Sequence, residues 1–435
     1  MSDRRNVVLV TYDSLRADHC GFMGYHRDTT PTMDALVEEG LVFENALASG
    51  VPTIASMTSV MTGEHSLASP EVGFDAEQRE QVTRRKTIAE VLSEAGYSTG
   101  ALSPNPPASS YFGFDEGFDW FEDFLHEDRG VGERLWNRVF RRSIRGGGLS
   151  TYLRLARNVV RREEVLTPWE DYYDRILAWR DGVSEPYFLW VLLLDPHHPW
   201  LPPRDARRWS SRTDALRSFG HYWEMLSSGW EPDFSPRERQ RLVDLYDDSI
   251  RYGDRFLARL REDLAARGDD PVFVVHADHG EEFGEHGRYG HQPHLSEELV
   301  HVPLVVANAG HRGRVTRPVG LRSIAPTIAD IAGVSHPSSA TSLFDPPARP
   351  WVTSKVFAGG ERRVALRTEG AAFHDEPGRR VLVDRGGADP PENRADTSPD
   401  LTRAFEAALA RHVETERDLR AVRETTDESV TEGRP

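Results

Sequence analysis

Three short polar clusters stand where an apolar run stops, and each carries a side chain able to bind a cation or move a proton. Tyr12-Asp13-Ser14 follows Val7 to Thr11. Asp195-Pro196-His197-His198-Pro199 follows Tyr187 to Leu194. Asp278-His279-Gly280-Glu281 follows Val272 to His276. A fourth polar group, Thr53, precedes the helical stretch Ile54 to Thr62, which Gly63 closes. Asp13, Asp278 and His279 offer hard oxygen and imidazole donors suited to Zn, Mn, Mg or Ca. Carboxylates that share a site repel unless a cation lies between them. Thr53 at a helix start would face an incoming tetrahedral anion with free N–H groups and the positive dipole end around it. A metal on its hydroxyl would lower the hydroxyl pKa and give an alkoxide nucleophile. Taken singly these signals are weak: an aspartate at a strand end is more often a turn former, and Thr53 alone reads as an N-cap. Their convergence on one sheet edge is harder to dismiss and suits a metal ion beside an activated hydroxyl.

The elements that must position these groups are apolar runs alternating with helical patterns, the signature of a parallel sheet covered on both faces. The expected strands are Val7 to Thr11, Ser98 to Leu102, Tyr187 to Leu194, Val272 to His276 and Val302 to Val306. In such a sheet functional groups collect at the carboxyl ends of strands. Thr87 to Ala95 reads as a helix ended by Gly96. Ser235-Pro236 reads as an N-cap and N1 pair opening a long helix whose apolar stripe runs from Leu242 to Leu264. Ser323 to Ala332 is another helix. Past about Pro337 the texture changes to short antiparallel strands, such as Arg363 to Arg367 and Arg380 to Val383, and a last helix from about Leu401. The expected organisation is a catalytic domain over 1–340 with a helical, arginine-rich insert at about 125–180. A small C-terminal α+β subdomain follows over 341–424, and the polar tail 425–435 is expected to be disordered.

The chain has 435 residues, a formal net charge of -17 and 38% hydrophobic residues, enough for a sizeable core. Cys20 is the single cysteine, so no intramolecular disulfide forms, which fits a reducing compartment. The basic side chains are nearly all arginine, Lys86 and Lys355 being the lysines. An acidic, lysine-poor surface suits a salt-loving host, although an arginine-rich codon bias gives the same composition. DNA would repel such a chain, so nucleic acid is not an expected partner. The apolar stretch Asn6 to Val10 is too short for a signal segment, and no apolar run approaches the roughly 20 residues of a membrane span. The expected location is the cytoplasm. Against this acidic background Arg134 to Arg162 holds nine arginines and no acidic residue, interleaved with Trp136, Phe140, Ile144, Tyr152 and Leu153. The segment is either neutralised by neighbours such as Glu163, Glu164, Glu170 and Asp171, or an amphipathic contact for a membrane surface that would present a lipid-linked ester.

The motifs taken in order resemble the sulfatase family of the alkaline-phosphatase superfamily. The opening Asn-Val-Val-Leu-Val-Thr-Tyr-Asp-Ser-Leu-Arg-Ala-Asp-His is similar to the family's first strand and metal ligand. Thr-Thr-Pro-Thr-Met-Asp-Ala-Leu (29–36), Asp-Pro-His-His-Pro-Trp (195–200), Ala-Asp-His-Gly-Glu-Glu-Phe-Gly-Glu-His-Gly (277–287) and Glu-Glu-Leu-Val-His-Val-Pro-Leu (297–304) recur in family order. The resemblance runs from Asn6 to about Asp400. It implies an alkaline-phosphatase-like, mostly parallel α/β sheet flanked by helices, a small C-terminal α+β subdomain and a metal held by Asp13, Thr53, Asp278 and His279.

The departures from the family pattern bear on the chemistry. Sulfatases carry a Cys or Ser, oxidised to formylglycine, then x-Pro-Ser-Arg. Anchoring on Ser59-Val60-Met61-Thr62-Gly63 puts Thr53 in the modified slot, with Ala55 and Met57 replacing the Pro and Arg. Threonine cannot become formylglycine. Members with Thr here resemble nucleotide pyrophosphatases, phosphodiesterases and the phosphoglycerol transferases of the lipoteichoic-acid-synthase type, which favours a phosphate ester over a sulfate ester. The lysine that sulfatases place before the Val-Pro-Leu strand is replaced by His291, or by Gln292 if the alignment slips by one. His197 matches the family histidine on the ester oxygens. His291 then takes the lysine's role, or joins Asp195 and His197 at a second metal; His286 reads as a surface histidine. The mechanism implied is in-line attack by Thr53, charge stabilisation by the metal and His197, protonation of the leaving alcohol by His291 or His197, and release by water or an acceptor alcohol. An arylsulfatase-like sulfuric ester hydrolase and a non-catalytic binding protein on the same fold are the alternatives.

Overall fold

The computed structural model describes residues 4–66, 76–123, 168–345, 351–358, 361–385 and 397–432, with Asn393 and Ala395. Its centre is an eight-stranded sheet. In chain order the strands are β1 (Val7–Tyr12), β2 (Gly40–Phe43), β3 (Ser98–Leu102), β4 (Trp120–Glu122), β5 (Tyr187–Leu193), β6 (Val272–Ala277), β7 (Leu304–Ala307) and β8 (Gly313–Val315). They lie in the order β8-β2-β7-β6-β1-β5-β3-β4. All pairings are parallel except those of β7, which runs against both β6 and β2. The reversal follows from the connection. After β6 the chain stays at the carboxyl edge, builds the loop 278–303 there, and re-enters the sheet from that edge, so β7 must point back.

β1, β5 and β6 are buried at every position because helices cover both faces, which is why they are continuous apolar runs rather than alternating ones. Register pairs Tyr12 with Leu193 on one side and with Ala277 on the other. The next residues, Asp13, Leu194 and Asp278, therefore leave the sheet at one level. Polar atoms inside the sheet are partnered: Trp190 Nε1 donates to Thr11 Oγ1 over 3.1 Å, and Thr11 Oγ1 lies 2.9 Å from His276 Nε2.

The long helix Pro236–Ala266 starts as expected, with Ser235 and Glu238 in a reciprocal capping box and Pro236 at N1. It also carries buried acids that fasten the loops around the site. Asp254 accepts from the Thr32 and Met33 N–H groups at 2.9 and 3.1 Å. Asp247 accepts from Tyr25 and Arg27, both at 2.7 Å, and lies 2.7 Å from His19 Nδ1. The Tyr246 hydroxyl donates to the Ser14 carbonyl at 2.7 Å and accepts from Arg16 N at 2.9 Å. The helix Glu170–Gly182 buries Tyr172, Tyr173 and Ile176 in the main core. The stretch 134–162, and with it the expected arginine-rich surface, lies outside the described residues. No helix among the described residues is long and apolar enough to cross a membrane.

The C-terminal subdomain is a four-stranded antiparallel sheet of β9 (Val352–Ala358), β10 (Glu361–Arg367), β11 (Ala371–Glu376) and β12 (Arg379–Asp384). The helix Pro399–Glu432 packs on it, with Phe405 stacked on Phe373 at 5.6 Å. That helix continues through residue 432, into the tail expected to be disordered from Thr425; the sequence offers no Pro or Gly to stop it between Pro399 and Gly433.

The two sheets meet at Glu297, which lies 2.8 Å from Arg367 Nε and 3.1 Å from Arg385 Nη2. Burial pushes this carboxyl up, but the two guanidiniums outweigh it and hold it down at about 2. Arg367 is wholly buried, so Glu297→Gln strands a charge. Because Glu297 is itself 37% exposed, the expected loss is about 2 kcal/mol rather than the full penalty of a buried pair. A depressed carboxyl stabilises the fold above its unfolded pKa, and that stability is lost as pH falls through the folded value. The difference between wild type and variant should therefore be full at neutral pH and shrink as pH falls from about 4.5 toward 2. Urea unfolding across this range checks it; a constant difference would assign the loss to packing.

Candidate active site

The site lies at the carboxyl edge of β1, β5 and β6. Asp13 follows β1 and is anchored by its own N–H, which donates to the Leu193 carbonyl at 2.9 Å. Its Oδ1 accepts from Ser14 Oγ at 2.7 Å, and its Oδ2 accepts from Asn105 Nδ2. Ser14 takes a left-handed backbone, φ 64°, a conformation that a residue with a side chain keeps only where its surroundings impose it. Tyr246 holds its carbonyl, and its N–H donates to Asp278 Oδ1 at 3.1 Å.

Asp278 follows β6. Its Oδ1 also accepts from His279 N at 2.8 Å, while its Oδ2 makes no hydrogen bond although fully buried. Burial and the neighbouring Asp13 carboxylate push the Asp278 carboxyl well up. His279 donates from Nδ1 to the Gly280 carbonyl at 3.0 Å, so its Nε2 presents a lone pair, 3.1 Å from Thr53 Oγ1 and 3.5 Å from Asp278 Oδ2. Burial, with His291 beside it, brings this imidazole down to about 4 and keeps it neutral. Gly280 lets the loop close: a Cβ there would stand 2.0 Å from the Glu298 carbonyl oxygen.

Thr53 is the first residue of the helix Thr53–Thr62, and Pro52 is the N-cap. The threonine is thus not spent as a cap, and Pro52 offers no side-chain acceptor to the first-turn N–H groups. Every residue of this helix is buried. Ser56, one turn along, donates to the Asp278 carbonyl at 2.6 Å and ties the helix start to the β6 loop.

One donor atom each from Asp13, Asp278 and His279 lies within 4.8 Å of the others. Two buried carboxylates, a neutral imidazole and an unpartnered oxygen suit a divalent cation.

Beside this group stand His197, His198 and His291, whose ring nitrogens also converge within 4.8 Å. His291 packs on His279 at 4.6 Å and on His197 at 4.9 Å between ring centroids. Behind them lies Glu281, fully buried, whose Oε2 is 3.2 Å from His198 Nδ1 and 3.3 Å from His291 Nδ1. His198 also packs against Tyr222 and Trp230.

The structure therefore brings Asp13, Thr53, Asp278, His279, His197 and His291 together. It does not bring Asp195 to the histidines. The turn closed by His197 N and the Leu194 carbonyl, 3.0 Å apart, swings Asp195 off. It lies beside Tyr12, Tyr172, Tyr252 and Glu170, where burial and Glu170 push its carboxyl up to about 7. His198, the next residue of the same motif, takes its place. His286 belongs to a separate group and pairs with Glu298 at 3.0 Å. Asn105 and the bridging role of Glu281 were not read from the sequence. Asn105 stands three residues past β3, so the strand-end rule that found Asp13 applies to it as well.

The Sulfatase family profile matches residues 5–334. The arylsulfatase of Clostridium perfringens is 26% identical over 380 residues, spanning 78% of this chain and 77% of that protein. A multifunctional alkaline phosphatase superfamily protein of Trinickia caryophylli is 24% identical, spanning 72% and 70%. Among solved structures, the phosphonate monoester hydrolase of Agrobacterium radiobacter superposes with a TM-score of 0.69 at 18% identity, over 94% of this chain and 95% of that one.

Proposed function

The chain belongs to the sulfatase family of ester hydrolases, and from that premise we propose that it cleaves or transfers a phosphate ester, of phosphodiester or phosphoglycerol type, with Thr53 as nucleophile. The observation that carries this reading is Thr53 itself. It occupies the slot of the family's modified residue, at N1 of a buried helix and 3.1 Å from His279. A threonine there attacks as a plain alkoxide and needs no formylglycine.

Asp13, Asp278 and His279 would hold a divalent ion, which would supply a positive centre to lower the Thr53 hydroxyl pKa and polarise the ester. Thr53 attacks phosphorus in line and the leaving oxygen departs from the opposite side. The Thr53 and Ile54 N–H groups, the first of the helix, stabilise the equatorial charge; those of Ala55 and Ser56 donate to the Pro52 carbonyl. His291 and His197 serve the ester oxygens and the leaving group. Glu281 holds His291 against the desolvation that would strip its proton, which suits it to return a proton to the departing alcohol. Water, or an acceptor alcohol, then breaks the Thr53 ester.

Sulfuric ester hydrolysis is the second reading, favoured by the activity named for the Clostridium relative. A chromogenic phosphodiester and a chromogenic sulfate, assayed side by side with Zn, Mn, Mg and Ca, separate the two. Faster turnover of the diester is expected. Faster turnover of the sulfate would replace phosphate by sulfate and require Thr53 to act on sulfur.

A further inference from the structure

We propose that the helix Arg212–Ser227 and the turn after Trp200 form a subsite for an anionic amphiphile, so that the substrate carries, beyond its scissile ester, an apolar arm with a second anionic group. Leu201, Leu216 and Phe219 line a cavity of about 420 Å³, and Arg204, Arg207 and Arg212 line it with them. That volume suits a small organic group, and apolar walls with a few convergent charged side chains are the make-up of a ligand site. Leu216 is 70% exposed. An exposed leucine alone is ordinary; beside Leu201 and Phe219 it extends an apolar wall that a bound chain would remove from water.

The arginines say what kind of group binds. In a chain of net charge -17, acids are at hand for pairing, and nearby arginines use them: Arg208 meets Asp28 at 2.9 Å and Arg255 meets Asp205 at 2.8 Å. Arg204, Arg207 and Arg212 have no carboxylate partner among the described residues; Arg207 donates from Nε to the Pro202 carbonyl at 2.9 Å. The two acids close to them in sequence are committed elsewhere. Asp205 goes to Arg255, and Asp214 accepts from Ser211 N at 2.9 Å and meets Arg241 at 3.3 Å. Three guanidiniums left without a counter-charge at one apolar cavity favour an anion there.

Helix geometry joins this cavity to the catalytic cleft. Phe219 and Tyr222 stand three residues apart and so share a helix face, and Tyr222 packs on His198 at 5.2 Å between ring centroids. On the other side Leu201 follows Trp200, whose ring lies 6.1 Å from that of His198. An arm leaving an ester held near His197 and His291 would pass Tyr222 and Trp230 and reach the cavity. Assigning the arm to the substrate rests on the ester-cleaving reading, whereas binding of an amphiphile does not. Contacts this far from the reacting atoms hold ground state and transition state alike, so they lower KM and leave kcat unchanged.

The test is fluorescence titration of the full-length protein with dansylaminoundecanoate, an apolar chain ending in a carboxylate, kept below its micelle concentration. Saturable binding is expected in wild type, in Thr53→Ala and in Asp278→Asn. Combined replacement Arg204→Gln, Arg207→Gln and Arg212→Gln should weaken it at least about tenfold, and so should Leu216→Ser. Turnover gives the second readout. Among para-nitrophenyl phosphodiesters of methanol, decanol and ω-hydroxydecanoate, wild-type KM should fall in that order with kcat alike. The arginine variant should raise KM for the last of these alone, and Leu216→Ser for the last two. Circular dichroism confirms that each variant is folded; if the arginine variant is not, Arg204→Gln with Arg212→Gln carries the comparison. Probe affinity and KM values that neither variant moves would overturn the subsite. Pelleting with phosphatidylglycerol vesicles that both variants lose, without binding of the soluble probe, would also overturn it and make the patch a membrane contact. Probe binding that depends on these residues beside a fully active Thr53→Ala would remove the nucleophile assignment and leave the subsite standing.

Discussion

Thr53→Ala is expected to lower kcat/KM by at least about 10⁴-fold, the scale on which removal of a covalent nucleophile acts, while leaving fold and metal content unchanged. Alanine fits the N1 position and favours helix, and the hydroxyl it removes lies 3.1 Å from His279 Nε2. No buried acceptor is stranded, because His279 Nε2 can bind the cation in its place. Stability should therefore change by no more than about 1 kcal/mol. Trapping makes the prediction specific: a rapidly quenched wild-type reaction should carry a phosphoryl adduct on the peptide containing Thr53, and the alanine variant none. Near-normal turnover by Thr53→Ala would remove the assignment. Ser56 is then a poor substitute, since its hydroxyl is committed to the Asp278 carbonyl at 2.6 Å. Thr53→Ser is the informative companion, since it keeps the attacking oxygen and should retain far more activity than alanine.

What could be read from the chain and what could not divide along physical lines. Asp13, Asp278 and His279 were legible because each directly follows an apolar run, and the parallel register of β1 with β6 sets residues after equivalent positions side by side. Thr53 was legible as a helix start closed by Gly63. The antiparallel sense of β7 was not, because a buried apolar run looks the same in either direction. β2, β4 and β8 were missed because they are short; the β8 residues are largely exposed and show no apolar pattern. Within the site, His198 rather than Asp195 joins His197, because one tight turn decides which residues of 195–198 face the cleft. Composition carries no trace of such a turn. The bridging role of Glu281 escaped the sequence for a related reason: it orients two histidines distant in sequence, and only the folded loop shows that one oxygen serves both.

Asp278→Asn is expected to abolish turnover together with the ion of Asp13, Asp278 and His279, and the variant separates a metal site from a structural carboxylate pair. Asparagine keeps the size of the side chain and can still accept from Ser14 N and His279 N through its amide oxygen, so those two bonds survive. It loses the negative charge and the free oxygen, Oδ2, which no hydrogen bond occupies in the wild type. If that oxygen is a ligand, metal content should fall by one ion per chain and kcat should fall with it; Asp13→Ala should do the same. Stability then distinguishes the cause. Without metal, burial and then repulsion from Asp13 push the Asp278 carboxyl up. Relief of that repulsion should make metal-free Asp278→Asn at least as stable as metal-free wild type. Added cation should reverse the order. At a free-ion concentration about a thousand times Kd, wild type gains about 4 kcal/mol, whereas the variant gains nothing from this site. Calorimetric melting with and without chelator reads both halves. Unchanged metal content in Asp278→Asn and Asp13→Ala, or an equal rise in Tm on adding metal to wild type and variant, would mean that the carboxylates serve the fold and that the cation binds elsewhere.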